Sequence, residues 1–395
     1  MKNTSDRIKN IPISETLAMS ARARELREQG KDIINLSLGE PDFNIPDFIK
    51  QAAIDAINEN YHWYSPVDGY LELKQAICRK FKRDNHLNYQ PNQIVVSTGA
   101  KQSIANVVLA LVNPGDEVLL PAPYWVSYEA ITKLAEGIPM PIYSSIETNF
   151  KITPEQLETA ITPKTKLIFF NSPNNPSGSV YTENEYRALA DVLVKYPHIF
   201  VISDEIYEHI LFEGSTFSFA SFEDMFDRTI TINGVSKAFA MTGWRIGYLG
   251  APEWIAKACN KMQGQITSGA NCIAQRATIA ALDAPISKIQ FMVDEFHKRR
   301  DLVLGLLSEI NGFKLNKPPG AFYVLPNIAY YFGKKIKGRN IENALDFSML
   351  LLEEANVATV TGDAFGASKC IRISYANSEK NLIEAIRRIK DLLKD

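Results

Sequence analysis

Short apolar runs alternate with helical stretches from about residue 91 onward. The runs with high β propensity are QIVVST, DEVLLP, KLIFFN, IFVISDE and TITIN. Helix-forming segments such as IANVVLALV and ENEYRALADVLVKY lie between them. This alternation predicts a mostly parallel sheet flanked by helices. Because KLIFF and IFVIS are almost entirely apolar, we expect them to be central strands that are buried on both faces.

The two ends of the chain carry longer helical patterns. Residues 20–29 are rich in helix formers, with Ser20 suited to cap the first turn and Gly30 suited to end the helix. Residues 286–310 read as one long amphipathic helix that opens after Pro285. Short strand-like runs, NVATVTG and CIRISYA among them, follow this helix together with further helical segments. The C-terminal part therefore predicts a second, smaller α+β unit.

Composition narrows the class of partner. The 395 residues include 43 Lys and Arg against 45 Asp and Glu, which leaves a net charge of −2. No basic patch indicates a nucleic-acid or membrane surface, and the longest apolar run, Val107–Val112, is far short of the ~18 residues of a membrane span. A small-molecule partner is therefore expected. With no apolar leader at the N-terminus, we predict a cytoplasmic protein. Its four cysteines lack CxxC spacing and are expected to be reduced.

Polar residues follow the predicted strands, at the sheet edge where α/β proteins bind ligands. Gly99 to Lys101 open a helix after the first strand, so their N–H groups could bind a phosphate; a tight strand-to-helix turn is the alternative. Asn175 lies in the turn cluster NSPNNPSG, where Pro176 favours an extended conformation that could present the Asn175 amide. An ordinary loop is the alternative there.

Three charged residues extend this pattern. Asp204 ends a buried strand, where a carboxylate needs a cationic partner unless it serves as a helix N-cap. Lys237 lies among small and apolar residues, where desolvation would lower its pKa and make it a nucleophile; a surface lysine is the alternative. Arg372, flanked by small residues on an alternating strand, could grip a carboxylate with two bonds or form a surface salt bridge.

The order of the motifs adds specificity to these single residues. They are SLGEPDF, NSPNNPSG, SDEIY, SK(x)₅GWRIG and RISYA. In this order and at these distances they resemble the class I/II aminotransferases of pyridoxal phosphate fold type I, and most closely the branch of aspartate and prephenate aminotransferases. The resemblance covers residues 10–395. It implies an α/β fold with a mostly parallel seven-stranded sheet flanked by helices, plus a smaller α+β domain.

The predicted division has three parts. They are an N-terminal arm and helix (1–45) that packs with the small domain, a large cofactor-binding domain (46–285), and a long connecting helix with the small C-terminal domain (286–395).

The resemblance also implies roles around the cofactor, pyridoxal 5′-phosphate. Lys237 would form the Schiff base and move the proton. Asp204 would pair with the pyridinium nitrogen, Tyr207 and Asn175 would bind the ring oxygen, and Trp125 would stack on the ring. The residues that would surround the phosphate are Gly99, Ala100, Lys101, Ser236 and Arg245. Many relatives carry a serine where this chain has Gly234, which leaves the phosphate contact of Ser236 open.

For the substrate, the resemblance implies that Arg372 binds the α-carboxylate. The residues that would assist it are Trp125, Asn175 and the backbone of Gly39. Lys101, with Thr16 in the N-terminal segment, would bind a second carboxylate, which favours aspartate, glutamate and prephenate. The implied reaction is transamination between L-aspartate and 2-oxoglutarate, in amino-acid metabolism. An aminotransferase for aromatic amino acids or alanine, or a β-lyase using the same cofactor, remains an alternative.

The family resemblance further implies a homodimer with shared active sites. Tyr64 in HWYSPVDG matches a position that reaches the phosphate of a neighbouring subunit, although an aromatic patch with Tyr61 and Trp63 is the alternative. A regulator that fuses this fold to a DNA-binding module is disfavoured, because fewer than forty residues precede SLGEPDF. The sequence has no GxGxxG, GxxxxGK[ST] or HExxH motif, so dinucleotide, P-loop and zinc-protease chemistry lack support, and no metal site is predicted.

Overall fold

The computed structural model describes residues 4–11 and 15–394, without the side chains of residues 15–17. Its described α-helices are α1 (Asp6–Asn10), α2 (Glu15–Glu28), α3 (Asp47–Asn58), α4 (Leu71–Asn85), α5 (Ala100–Leu111), α6 (Ser127–Leu134), α7 (Pro154–Ala160), α8 (Glu183–Val194), α9 (Glu223–Phe226), α10 (Glu253–Ile266), α11 (Cys272–Asp283), α12 (Gln290–Ser308), α13 (Ala344–Glu354) and α14 (Glu379–Leu392).

The described β-strands are short and most are buried. They are β1 (Ile34–Asn35), β2 (Ile94–Ser97), β3 (Glu117–Ala122), β4 (Ile138–Tyr143), β5 (Thr165–Asn171), β6 (Phe200–Asp204), β7 (Thr229–Gly234), β8 (Gly247–Gly250), β9 (Tyr323–Val324), β10 (Lys334–Ile336), β11 (Arg339–Ile341), β12 (Val357–Ala358), β13 (Val360–Thr361) and β14 (Ile371–Ser374).

The largest sheet has seven strands in the order β2-β8-β7-β6-β5-β3-β4. All neighbouring pairs are parallel except those of β8, which runs antiparallel to both β2 and β7. Helices lie between successive parallel strands, because parallel strands need a long crossover connection. The predicted fold class, a mostly parallel seven-stranded sheet flanked by helices, is confirmed.

Two strands of this sheet escape the pattern of apolar runs. β4 contains Pro139 and Pro141, and it lies at the sheet edge, where missing N–H groups are tolerated. β8 begins and ends with glycine. A Cβ at Gly247 would overlap the backbone of Gly99 and Ala100, so this strand approaches the start of α5 closely. Both strands therefore lack the apolar or β-branched signal that identifies β5, β6 and β7.

Both long helices differ from their predicted bounds. The first begins at Glu15, so Ser20 lies inside α2 and is not its cap; its hydroxyl is 3.1 Å from that of Ser37. The predicted stop at Gly30 fits, since that residue has φ +85°. The predicted helix over 286–310 is divided at Ile289 into a 3₁₀ turn and α12.

A second set of strands gathers near the C-terminus. β13, β14 and β9 form an antiparallel sheet in that order, and β1 from the N-terminal part pairs in parallel with β12. β14 is buried along its whole length. The exact boundaries 1–45, 46–285 and 286–395 stay a prediction. None of the helices in the described part of the chain is long and apolar enough to cross a bilayer.

Candidate active site

One cavity of about 330 Å³ lies between the seven-stranded sheet and the C-terminal strands. Most of the residues predicted from the sequence line it, namely Gly39, Ala100, Lys101, Trp125, Asn175, Asp204, Tyr207, Ser236, Lys237, Arg245 and Arg372. The lining residues that the sequence did not single out include Ser127, Tyr128, Asn171, Thr242 and Tyr323. The structure thus brings together residues that are up to 333 positions apart in the chain.

Two predicted site residues, Gly99 and Tyr64, are not among the cavity-lining residues, and the side chain of a third, Thr16, is not described. Gly99 is the N-cap of α5, directly before the lining residue Ala100. Tyr64 does not line the cavity, and its side chain is 98% exposed. Thr16 belongs to the segment whose side chains lie outside the described residues. The structure therefore leaves the predicted roles of Tyr64 and Thr16 as predictions.

Lys237 follows the end of β7 and points into the cavity. Its Nζ donates a hydrogen bond of 2.6 Å to the carbonyl oxygen of Gly39. Burial, reinforced by the positive charges of Arg372 and Arg245, lowers the pKa of Lys237 to about 8. A larger share of the amine is therefore neutral near pH 7 than for a surface lysine. The alternative of a solvated surface lysine is therefore wrong, and the catalytic role of Lys237 stays a prediction.

Asp204 is the last residue of β6, and no helix begins directly after it, so the alternative of a helix N-cap is wrong. Its Oδ2 accepts a 2.7 Å hydrogen bond from the Tyr128 hydroxyl, and its Oδ1 accepts a 3.2 Å bond from the Ile206 N–H. Burial raises the pKa of Asp204 to about 6. Within residues 4–11 and 15–394, this carboxyl makes no ion pair. It therefore offers an unpaired buried charge to a cationic ligand.

Arg372 on β14 is only 2% exposed, so the alternative of a surface salt bridge is wrong. Its Nη1 donates to Asn175 Oδ1 at 2.9 Å, and its Nη2 donates to the carbonyl oxygen of Ser37 at 2.5 Å. Its Nε has no hydrogen-bond partner in the described structure. The guanidinium has no carboxylate partner among these residues, and so it is placed to receive a carboxylate from a ligand.

Asn175 is held in its position by the turn that contains it. Its backbone N–H donates to Asn171 Oδ1 at 2.8 Å, and the Asn171 amide in turn donates to the carbonyl oxygen of Asp204 at 2.9 Å. The predicted amide beyond the sheet edge is therefore present, and it is tied to the residue that ends β6. Asn171 is the lining residue that makes this connection.

The N-terminus of α5 forms the other end of the cavity. Gly99 has φ +84°, a conformation that favours glycine. The first N–H groups of an α-helix lack acceptors in a preceding turn, so those that open α5 can bind a ligand. Arg245 lies beside this turn, with Nη1 donating to the carbonyl oxygen of Thr242 at 2.8 Å. Lys101 Nζ lies 4.9 Å from the centre of the Trp125 ring, and desolvation and Arg245 lower its pKa. This end of the cavity suits a phosphate.

The glycine at position 234 has a structural explanation. A Cβ there would lie 2.9 Å from the Ile246 carbonyl oxygen and 3.0 Å from the Cα of Gly247 on the paired strand β8. A larger residue would push β8 away from β7. Ser236 lines the cavity two residues later and is buried.

Two tyrosines of the site were not predicted from the sequence. Tyr128 holds Asp204 from 76 residues away, and the Tyr323 hydroxyl lies 2.8 Å from that of Tyr207 although 116 residues separate them. Tyr128 follows Trp125 in a Tyr/Trp-rich segment, which is the only local sign of its role. Tyr323 reads in the sequence as an ordinary strand residue.

A second buried polar cluster lies close by. It consists of Lys80, Asn85, Glu205, Glu208 and Asn233. The Lys80 ammonium pairs with Glu208 and donates to Asn85 Oδ1 at 2.6 Å. The Asn85 amide donates to both glutamates, at 3.1 Å to Glu205 and 2.6 Å to Glu208, and the Asn233 amide donates to Glu208 at 2.6 Å. We refer to these five residues as the Lys80 cluster.

The pKa values of the two glutamates in the Lys80 cluster are shifted in opposite directions. Burial opposes ionisation of Glu208, but the Lys80 ammonium outweighs it and lowers the pKa of Glu208 to about 2. Burial and the neighbouring charge of Glu208 raise the pKa of Glu205 to about 8. Glu208, Asp84 and His209 also place possible metal-ligand atoms within 4.8 Å of one another. Because Lys80 already neutralises Glu208, this group forms an internal ionic network.

The comparisons with known proteins specify the class of this protein. The sequence profile of the family described as aminotransferase class I and II matches residues 31–389. The chain belongs to this family.

Named relatives cover almost the whole chain. An aspartate/prephenate aminotransferase of Cereibacter sphaeroides is 47% identical over 389 residues, which are 98% of this chain and 97% of that protein. The crystal structure of the aspartate aminotransferase from Rhizobium meliloti has a TM-score of 0.96 at 44% identity, covering 99% of this chain and 98% of that one. The Thermus thermophilus aspartate aminotransferase with maleate has a TM-score of 0.93 at 39% identity, with complete coverage of both chains. The protein is an aminotransferase.

Pyridoxal 5′-phosphate is the cofactor of this family, and the cavity fits it. The unpaired carboxyl of Asp204 suits a protonated ring nitrogen, and the amine of Lys237 suits an aldehyde. The start of α5 with Arg245 suits the phosphate. These groups lie in one cavity, so a single ligand could contact all of them.

Proposed function

We propose that this aminotransferase exchanges amino groups between L-aspartate and 2-oxoglutarate, forming oxaloacetate and L-glutamate. The observation that carries the proposal is the cavity in which the Lys237 amine, the unpaired Asp204 carboxyl and the unpaired Arg372 guanidinium all face the same space. The names of the relatives that match nearly the whole chain support aspartate as the amino donor.

The residues proposed to hold the cofactor divide by the group that they would contact. Asp204 would bind the ring nitrogen, and Tyr207 with Asn175 would bind the ring oxygen. Trp125, half-buried at the cavity wall, would cover the ring face. The residues proposed for the phosphate are Gly99, Ala100, Lys101, Ser236 and Arg245. Bound pyridoxal phosphate supplies a carbonyl group that accepts the amino group and a conjugated ring that withdraws electrons from the substrate.

The chain's own residues would then position the substrate and move its proton. Arg372 would clamp the α-carboxylate with two parallel hydrogen bonds, which are worth about 1.5 to 3 kcal/mol each to a charged group. Lys237, whose pKa lies near 8, would accept and return a proton at its Nζ near neutral pH. Burial of Asp204 and Arg372 keeps water from competing for their partners.

The second carboxylate of the substrate is assigned to Lys101, with Thr16 as the predicted helper. Lys101 Nζ has no carboxylate partner among the described residues, and it lies over Trp125 at the cavity wall. Maleate, named with the Thermus thermophilus relative, is itself a dicarboxylate. Prephenate is a second candidate acceptor, since it also carries two carboxylates and is named for the Cereibacter sphaeroides relative.

We also propose a homodimer in which Tyr64 reaches the neighbouring active site. Tyr64 is 98% exposed and its neighbour Trp63 is 77% exposed, which is unusual for adjacent aromatic residues. A partner subunit would cover both. Cytoplasmic location stays a prediction; all four cysteines are free in the structure, as expected in a reducing compartment.

A half-reaction panel tests the proposed reaction. Protein loaded with pyridoxal phosphate is mixed separately with aspartate, glutamate, alanine, phenylalanine and arogenate, and the conversion of the bound pyridoxal form to the pyridoxamine form is followed by absorbance. We expect fast conversion by aspartate and glutamate and none in Lys237→Ala. A preference for alanine or phenylalanine, or release of ammonia and pyruvate, would contradict the proposal and favour one of the alternatives.

The Lys101→Ser variant sharpens the specificity within the same panel. Loss of a desolvated ion pair with the second carboxylate should raise the KM for aspartate by roughly 30-fold, about 2 kcal/mol. Alanine has no second carboxylate, so its KM serves as the matched control and should change little. Equal changes for both amino acids would remove Lys101 from substrate selection.

A further inference from the structure

Tyr323 connects three groups of the site, although nothing so far gives it a role. It lies on β9, directly opposite Ser374 of β14, and it is completely buried. Its hydroxyl is 2.8 Å from the Tyr207 hydroxyl. Its ring centre lies 4.7 Å from the guanidinium carbon of Arg372, two residues along β14.

The same hydroxyl explains why position 39 is glycine. A Cβ on Gly39 would lie 2.5 Å from the Tyr323 hydroxyl oxygen, whereas the next nearest ring atom would lie at 3.5 Å, an ordinary contact. The carbonyl oxygen of Gly39 is the acceptor for Lys237 Nζ. The Tyr323 hydroxyl thus lies between the backbone beneath Lys237 and the phenol of Tyr207.

A proton count shows what the pair of phenols can do. Each phenol has one proton to donate, and only one of the two protons can lie in the bond between them. If Tyr323 donates to Tyr207, the Tyr207 proton is free to point into the cavity. If Tyr207 donates to Tyr323, the cavity loses that donor. The direction of this one hydrogen bond therefore decides whether Tyr207 serves a ligand as a donor.

The surroundings favour donation from Tyr323. The Arg372 cation lies against the face of its ring and stabilises negative charge on its oxygen. Burial raises the pKa of both phenols, and Arg372 opposes the rise for both, but the neighbouring Tyr323 and Asp204 raise the pKa of Tyr207 further, to well above its usual value. The more acidic phenol is the better donor.

We propose that Tyr323 is a positioning residue: its hydroxyl donates to Tyr207 and so orients the Tyr207 proton toward the ring oxygen of the cofactor. The inference rests on the proposed function, which places that ring oxygen beside Tyr207. It also links Arg372 to Tyr207, because the cation that would bind the substrate carboxylate acts on the same hydrogen bond. Cooperative strengthening along such a chain makes Tyr207 a stronger donor.

A spectral titration of the loaded protein tests this role. Donation to the ring oxygen stabilises its ionised form, so weaker donation raises the pH midpoint of the visible absorbance of the bound cofactor. Tyr323→Phe should raise that midpoint by roughly 0.4 to 1 pH unit, and Tyr207→Phe should raise it further. Tyr375→Phe is the matched control, because Tyr375 is equally buried and, among the described residues, its hydroxyl donates only to the Ala321 carbonyl oxygen, at 3.2 Å. The pH midpoint of Tyr375→Phe should equal that of the wild type.

The opposite outcomes are equally clear. A lower midpoint in Tyr323→Phe would mean that Tyr207 donates to Tyr323, and an unchanged midpoint would reduce Tyr323 to packing; either overturns the inference. Wild-type protein that binds the cofactor and gives a readable titration, but does not react with aspartate, would instead overturn the proposed function. The two failures are therefore distinguishable.

A second pair of variants tests the geometry without the cofactor spectrum. Gly39→Ala should lower the melting temperature of the full chain, because its Cβ meets the Tyr323 hydroxyl. In the Tyr323→Phe background, Gly39→Ala should lower the melting temperature by clearly less. Equal decreases in melting temperature in both backgrounds would contradict the position of the Tyr323 hydroxyl beside Gly39.

Discussion

Two sets of buried carboxyl groups lie at the end of β6, and they are treated in opposite ways. Asp204 faces the cavity with a phenol and an N–H as hydrogen-bond donors, and it makes no ion pair with any of the described residues. Glu205, the next residue, belongs to the Lys80 cluster, in which Glu208 has the ammonium of Lys80 as its counter-charge. The chain neutralises one set itself and leaves the other to a ligand. We interpret the Lys80 cluster as structural and Asp204 as functional.

The energetic consequence differs accordingly. A buried carboxyl without a cation resists ionisation, which is why burial raises the pKa of Asp204, whereas Lys80 lowers that of Glu208. Without a ligand, Asp204 weakens the folded state as pH rises from 3.8 to about 6, because the folded state keeps a proton that the unfolded chain releases. A bound cationic ring would reverse that loss. The Lys80 cluster needs no ligand to be stable.

The largest expected effect is a loss of folding stability when the Lys80 cluster is disrupted. Glu208→Gln leaves the Lys80 ammonium buried with only Asn85 and a carboxylate oxygen of Asp84 at 3.9 Å. We expect the free energy of unfolding to fall by about 3 to 5 kcal/mol, measured by denaturant titration. The half-reaction with aspartate in the remaining folded protein should change little.

The matched control for Glu208→Gln removes the charge on both sides. Lys80→Met combined with Glu208→Gln leaves no isolated charge and should recover much of the lost stability. If Glu208→Gln instead left stability intact and abolished the half-reaction, the Lys80 cluster would belong to the active site and the contrast with Asp204 would be lost.

A smaller effect, visible only as a pH dependence, is expected at Glu205. Because its pKa is raised to about 8 by burial and Glu208, the folded state keeps a proton that the unfolded chain releases near pH 4.5. The free energy of unfolding of the wild type should therefore decline between pH 4.5 and about 8 relative to that of Glu205→Gln. Unfolding curves recorded across this range would show it. Parallel curves for the two proteins would mean that Glu205 is ionised in the folded state.

The sequence predicts the parts of this picture that depend on local pattern. β5, β6 and β7 are continuous apolar or β-branched runs. Asp204 ends β6 and Lys237 comes three residues after β7, so both could be placed at the ligand-binding edge of the sheet. The position of Arg372 follows from the alternation along β14. These features need only the neighbours of each residue in the chain.

What the sequence does not predict depends on distant contacts. β4 and β8 lack apolar runs, so their strand conformation depends on their place in the sheet. β4 pairs at the sheet edge, and β8 lies between β2 and β7 in close contact with the start of α5. Lys80 and Glu208 are 128 positions apart, and each alone reads as an ordinary charged residue. Nothing in the local pattern separates Tyr323, which holds Tyr207, from a core tyrosine such as Tyr375.

The most direct test of the account is the stability that pyridoxal phosphate adds to three proteins: the wild type, Asp204→Asn and Glu208→Gln. Thermal unfolding with and without the cofactor gives this quantity for each, with the mass-action term held equal by one cofactor concentration. We predict equal stabilisation of the wild type and Glu208→Gln, and about 1.5 to 3 kcal/mol less in Asp204→Asn, which lacks the charged partner for the ring nitrogen. Undiminished stabilisation of Asp204→Asn would contradict the claim that this carboxyl is left unpaired for a cationic ligand.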